Sequence, residues 1–146
     1  MAWTTADIPD QSGRVAVVTG ANGGLGLEVA RELARRGARV VMAARDQAKA
    51  EAAQASIRAQ VPDARLELRP LDLASLDSVG EAAAAILADH PRIDLLVNNA
   101  GVMAIAERRT GDGFEMQLAV NHLGHFALTA RLVEALLRSG DARVVS

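Results

Sequence analysis

Four short stretches hold residue types that could do chemistry. The first is Thr19-Gly20-Ala21-Asn22-Gly23-Gly24-Leu25-Gly26. A glycine-rich bend leading from a strand into a helix leaves backbone N–H groups free at the positive end of the helix dipole. That arrangement suits a pyrophosphate. Glycine is needed because a Cβ would block backbone approach to phosphate. The spacing is Gly20-x3-Gly24-x-Gly26, and Leu27 and Glu28 stand where a triphosphate-binding loop carries Lys and Ser/Thr. An ATPase reading is therefore poor. The competing reading is a plain glycine-rich turn.

The second stretch is Met42-Ala43-Ala44-Arg45-Asp46, at the end of a β-rich run. In a dinucleotide-binding sheet the adenosine ribose lands at this strand tip. An acidic residue there would bind the ribose diol and repel a 2′-phosphate, but here Ala44 is followed by Arg45. A guanidinium grips phosphate bidentately. One charge-assisted bond is worth about 1.5–3 kcal/mol, roughly ten- to a hundredfold in favour of NADP(H), with NAD(H) as the second candidate. Two other readings stand beside this one: Arg45 is a solvated surface charge, or Asp46 binds the ribose of NAD. Asp46 fits better as a helix N-cap.

The third is Asn98-Asn99-Ala100-Gly101, whose small residues let a backbone pass close to a ligand; an ordinary turn favoured by Asn is the alternative. The fourth is Val120-Asn121-His122-Leu123-Gly124-His125-Phe126. Asn and Gly are costly inside a helix, so the run needs a reason, of which close packing at Gly124 is the plainest. His122 and His125 are three apart but lack a third ligand, so no metal is expected. Both read as surface, interface or packing residues.

The elements that must position these stretches alternate between strand and helix, the signature of βαβ units. Strands are expected at 14–19, 39–43, 65–69, 93–97 and 143–146. Helices are expected at 25–36, 47–60, from a Ser75 cap to about Asp89, and at 114–139. Leu25, Val29 and Leu33 share one face of the first helix, and Gly37 fits its C-terminal end. Ala48, Ala52, Ala55 and Ala59 form a shallow packing stripe on the second. The expected fold is α/β, a Rossmann-type doubly wound parallel sheet of order 3-2-1-4-5. An N-terminal tail of 1–13 would precede a nucleotide-binding domain of 14–146.

Composition narrows the function classes. Half of the 146 residues are hydrophobic, and 16 Lys plus Arg stand against 18 Asp plus Glu. Disorder and a basic nucleic-acid surface are poor readings of that balance. There is no cysteine, hence no disulfide scaffold or thiolate metal site. No apolar run reaches membrane-spanning length, and MAWTTADIPD does not read as a signal peptide, so a cytoplasmic location is expected. The chain has no tyrosine and a single lysine, Lys49.

Taken in order, TGANGGLG, NNAG at 98–101, VNHLGHF at 120–126 and Asp72-Leu73 after the third strand resemble the short-chain dehydrogenase/reductase family. FEMQLAVNHLGHF and the Ala-Arg-Asp strand end are most like its retinol dehydrogenase and WW-domain oxidoreductase-like branch. The resemblance runs from about Arg14 to the last residue. It implies that Gly20, Gly24 and Gly26 bound the pyrophosphate site, with contacts from Asn22 and Leu25. It also implies that Arg45 matches the basic residue of NADP-preferring members and that Asp72 and Leu73 hold the adenine. Asn99, Ala100 and Gly101 would line the ribose. Asn121 matches the Asn of the catalytic tetrad, whose main chain positions a relay water. Gly23 departs from the Ser common in this branch.

The family's proton chemistry rests on a Ser and a Tyr-x-x-x-Lys helix. Tyrosine is absent here, Lys49 lies in the wrong element, and Ser146 precedes the usual catalytic position. About the last two-fifths of a family member, including its last strands, is expected to be missing, so the sheet would stop at strand five. The intact protein is then expected to be an NADP(H)-dependent oxidoreductase acting on a small-molecule carbonyl or alcohol, and the 146-residue chain alone inactive. The alternative is a non-catalytic, redox-sensing or regulatory dinucleotide-binding module. Helix 114–139 is apolar on more than one face and offers a surface for a homo-oligomer.

Overall fold

The computed structural model describes residues 2–146; Met1, the first residue of the expected tail, lies outside them. The strands are β1 (Val15–Thr19), β2 (Arg39–Ala44), β3 (Arg65–Pro70), β4 (Leu95–Val97) and β5 (Arg143–Val145). The helices are α1 (Gly24–Arg35), α2 (Gln47–Gln60), α3 (Leu76–Asp89), α4 (Met116–Leu118) and α5 (Gly124–Leu137). All neighbouring strands pair in parallel in the order β3-β2-β1-β4-β5. This is the Rossmann-type sheet that the strand–helix alternation predicts.

The central strands are buried on both faces, so Val15–Thr19 and Arg39–Ala44 carry apolar runs with little alternation. One core lies between the sheet and α3 and α5, built around Ile86, Ile93, Leu96, Leu128 and Leu132. The other lies between the sheet and α1 and α2, around Val40, Met42, Ala30 and Ile57. The helix starts follow the sequence signals. Asp46 accepts from the Lys49 N–H at 3.0 Å, and Ser75 accepts from the Ser78 N–H at 3.2 Å. Gly37 closes α1 with a φ of 91°.

Three expectations need correction. The α1 positions buried against the sheet are Gly26, Ala30 and Ala34; Val29 and Leu33 are half-buried and pack against the same core, while Leu25 is 79% exposed. Small side chains win there because the helix must approach the strand closely. In α2 the buried positions are Ala50, Ala53 and Ile57, and Ala48, Ala52, Ala55 and Ala59 face solvent. Ile57 is the only large aliphatic side chain within Gln47–Gln60, and it sets which side turns inward. The single helix expected over 114–139 is α4 and α5 joined by a π segment, Ala119–Leu123. In that segment the Gly124 N–H reaches back five residues to the Ala119 carbonyl.

The N-terminal stretch is tied to the end of α1. Gln11 donates its N–H to the Arg36 carbonyl at 2.8 Å, and the Arg36 guanidinium donates to the Thr5 carbonyl at 2.9 Å. No helix among the described residues is long and apolar enough to cross a membrane.

Candidate functional site

β1 ends at Thr19, and its last side chain organises the mouth of the sheet. The Thr19 Oγ1 accepts from the N–H groups of Asn99 and Ala100 at 2.9 and 3.0 Å. The Asn99 side-chain amide in turn donates to the Thr19 carbonyl at 3.0 Å. These bonds lock the bend after β1 to the turn after β4, across neighbouring strands.

The glycines divide their work. Gly20 has a φ of 64°, and a Cβ there would crowd the Ala100 Cα at 3.0 Å. A Cβ on Gly26 would collide with the Gly20 carbonyl and the Asn99 side chain. Gly24, at the start of α1, has a φ of 54° and open space around it. Its constraint is backbone conformation, not room for a side chain. Gly23 has neither constraint. Two of the glycines thus let α1 and the two turns touch, and the first turn of α1 is left facing outward.

In front of these elements lies a cavity of about 460 Å³, of the size that takes one small organic ligand. Gly20, Asn22 and Leu25 line it from the bend, and Arg45, Asp46 and Lys49 from the end of β2 and the start of α2. Asp72 and Leu73 line it from the turn after β3, and Asn99, Ala100 and Gly101 from the turn after β4. Nine of the sequence-derived candidates therefore meet in one cavity. Gly24 and Gly26, also expected to bound the pyrophosphate site, do not line it.

Asp46 is the N-cap of α2, the role its sequence position suggests, and its other oxygen lies 3.7 Å from the Lys49 Nζ. Arg45 is exposed on the rim and forms no ion pair among the described residues. Asp72 turns one oxygen back to the Ala74 N–H at 2.9 Å, and its own N–H donates to the Ser78 hydroxyl at 2.9 Å. Local bonds thus fix the backbone on which the Leu73 side chain sits.

Asn121 stands behind the cavity wall, in the π segment. Its side-chain amide takes both backbone groups of Val102, accepting from the N–H and donating to the carbonyl, each at 2.8 Å. That pairing explains an Asn in a helix interior: it serves as a clamp on the segment after Gly101. The wide turn is itself a feature that clusters at functional sites. Gly124 has a packing reason, since a Cβ there would run into the Leu73 backbone.

Two residues of this site take roles the sequence did not assign: Thr19 as the hub, and His125, which the sequence offered only as a surface, interface or packing residue. The imidazole of His125 is buried, with Nε2 2.8 Å from the Thr19 Oγ1 and Nδ1 3.3 Å from the Asn121 carbonyl oxygen. Burial pushes its pKa below the ordinary histidine value, against a smaller upward pull from the Asn121 bond. The signal was available: His125 falls on the same helical face as Leu128 and Leu132. His122 is exposed. Among the described residues, no group of three His, Cys, Asp or Glu is placed to hold a metal ion.

The cavity fits the adenosine end of a dinucleotide. It has a helix N-terminus on one side, a free guanidinium at a strand tip, and a glycine bend whose close contacts with the turn after β4 leave the first turn of α1 facing outward. Comparison with known proteins points the same way. The family model described as short chain dehydrogenase matches residues 14–146. The chain is 48% identical over 134 residues to human retinol dehydrogenase 13, covering 92% of this chain and 40% of that one. It is 49% identical over 143 residues to mouse retinol dehydrogenase 12, covering 98% and 44%. Among solved structures, a metagenomic short-chain oxidoreductase in complex with NADP superposes with a TM-score of 0.81 at 34% identity, covering 92% of this chain and 62% of that one. An uncharacterized protein from Mycobacterium paratuberculosis does so at 0.84 and 48%, covering 93% and 47%. The chain thus spans about two-fifths of the length of the retinol dehydrogenases it matches.

Proposed function

The chain belongs to the short-chain dehydrogenase family, and from that premise we propose that it forms the nucleotide-holding part of an NADP(H)-dependent oxidoreductase. When bound, the cofactor supplies hydride chemistry at a carbonyl or alcohol carbon. The chain's own residues hold and orient. Gly20, Asn22 and Leu25 present the bend to the pyrophosphate. Asp72 and Leu73 flank the adenine, and Asn99, Ala100 and Gly101 flank its ribose. Asn121 holds the wall behind Gly101 with its side chain and offers its carbonyl to a water of the proton relay. The tyrosine the family uses as proton donor is not among these 146 residues, so the chain by itself binds cofactor without turning it over.

The observation that carries the NADP(H) preference is Arg45, exposed on the cavity rim at the tip of β2 and free of any ion pair among the described residues. The NADP named for the metagenomic relative supports the same cofactor, and the names of the retinol dehydrogenases support an alcohol or aldehyde as substrate. The exposed face of α5 is proposed as the surface that meets a second copy.

Calorimetric titration of the chain with NADPH, NADH and adenosine tests the reading. NADPH is expected to bind at least tenfold tighter than NADH, and adenosine weakest. Absence of dinucleotide binding overturns the function, while tighter NADH binding overturns the cofactor assignment alone.

A further inference from the structure

One buried titratable side chain has no part in the reading above. His125 is 6% exposed and points from α5 at the end of β1. Its partners decide where its proton sits. A carbonyl oxygen only accepts, so the nitrogen facing Asn121 carries the hydrogen, and Nδ1–H donates across 3.3 Å. Nε2 is then a lone pair facing the Thr19 hydroxyl at 2.8 Å. That hydroxyl already accepts from two N–H groups, those of Asn99 and Ala100, and has one proton to give. The nearer acceptor is His125; the other, the Val97 carbonyl, is 3.4 Å away. The opposite tautomer would set a lone pair against the Asn121 carbonyl. The protonated ring would press an N–H toward an oxygen that already accepts twice.

The bonds therefore run in one sense. Asn99 and Ala100 donate to Thr19, Thr19 donates to His125, and His125 donates to Asn121. The chain joins the cavity wall after β4 to the wide turn of the helix. A π turn displaces the helical ladder by one residue, so carbonyl orientation there depends on added partners. An apolar side chain of similar size could fill the same space but could not link the two ends.

We propose that His125 is a positioning residue of the cofactor site, a bridge of fixed tautomer that sets the Asn121 carbonyl relative to the Asn99–Ala100 wall. The proposal rests on the oxidoreductase reading for its purpose, since it is there that the carbonyl serves the proton relay.

Side-chain ¹⁵N NMR of the chain at neutral pH tests it. The expected signal is a protonated Nδ1 and an unprotonated Nε2. Thr19→Val removes the donor and should mix the two tautomers, while Thr19→Ser should restore the single one. In calorimetry Thr19→Val, which also removes the acceptor of the Asn99 and Ala100 N–H groups, should weaken NADPH binding by at least tenfold, and Thr19→Ser should not. His125→Asn isolates the bridge and serves if Thr19→Val does not fold: it keeps a donor toward Asn121, breaks only the Thr19 link, and should weaken NADPH binding by about tenfold, the worth of one hydrogen bond. An Nε2–H ring in the wild type, or a Thr19→Val chain with unchanged tautomer and affinity, overturns the proposal. A His125→Asn chain that binds NADPH as tightly as the wild type also overturns it. A single tautomer in a wild-type chain that binds no dinucleotide overturns the oxidoreductase reading and leaves the bridge standing.

Discussion

A Cβ built on Gly26 runs into the carbonyl oxygen of Gly20, across the bend between β1 and α1. Neither the backbone carbonyl nor the Asn99 amide behind it can yield easily. Gly26→Ala is therefore expected to cost about 1–3 kcal/mol, as overpacking does. Gly23→Ala, with extended backbone and open space, should change stability by less than about 0.5 kcal/mol. Urea denaturation of the two variants checks the contrast; equal costs would show that the two turns are not in contact.

Arg45→Ala should erode the preference for NADPH while leaving NADH binding nearly unchanged. The expected loss is roughly ten- to a hundredfold in NADPH affinity, the worth of one charge-assisted bond. Calorimetry with both dinucleotides reads it. A parallel loss for both would mean that Arg45 serves the fold or the pyrophosphate instead.

Asp94 is 4% exposed and ties three elements together. It accepts from the Val15 N–H at 2.8 Å and the Ser139 hydroxyl at 2.6 Å, at the starts of β1 and β4 and the end of α5. Burial pushes its pKa up, but the Ser139 and Val15 bonds and the charges of Arg92 and Arg14 outweigh it, so the net shift is downward from 3.8. The folded pKa lies below the unfolded one, so the stabilisation is fully present above 3.8 and fades as the pH falls through the lower, folded value. Asp94→Ala should cost about 1.5–3 kcal/mol at neutral pH, and the gap from wild type should narrow in acid. Denaturation curves at pH 7 and pH 3 measure the change.

His125 acts in a different window with the same sign. Its pKa is lowered from 6.5 mainly by burial. The unfolded chain takes up a proton that the folded chain resists, so folding is unpenalised above 6.5 and loses stability as the pH falls below it. The partners of the ring are a hydroxyl and a carbonyl, with no charged side chain bonded to it. His125→Asn should flatten this limb of the stability curve between pH 7 and pH 5. An identical slope in both proteins would place the proton elsewhere.

Phe126 and Leu137 are 69% and 75% exposed, and with Val133 they form one stripe of α5. On the reading that this stripe meets a second copy, Phe126→Glu with Leu137→Glu should shift a sedimenting dimer to monomer at micromolar concentration. A monomeric wild-type chain under the same conditions removes the need for the surface.

Strand order, helix caps and the convergence of most cofactor candidates were legible because each follows from local pattern. Alternation sets the sheet, Asp46 and Ser75 mark helix starts, and parallel strands all end at one edge. Contacts between distant segments were not legible. Leu25 has the spacing of a packing residue, yet the close fit of Gly26 to Gly20 turns it outward. In α2 four alanines at helical spacing suggest a buried face, but one isoleucine outweighs them. Asn121 stood out as a misfit, while its reason, the Val102 backbone, is 19 residues away in sequence.

The wide turn at Ala119–Leu123 amounts to one surplus residue in an otherwise regular rod. Excising it would restore the regular helical ladder, but it would also swing everything downstream by about 100°, the angle of one helical step. Leu128 and Leu132 would rotate off the sheet, and the imidazole that now reaches Thr19 would sweep past it. Phasing, more than length, is thus what the surplus residue preserves: it lets a single rod present one side to the Thr19 end of β1 and another to the hydrophobic interior.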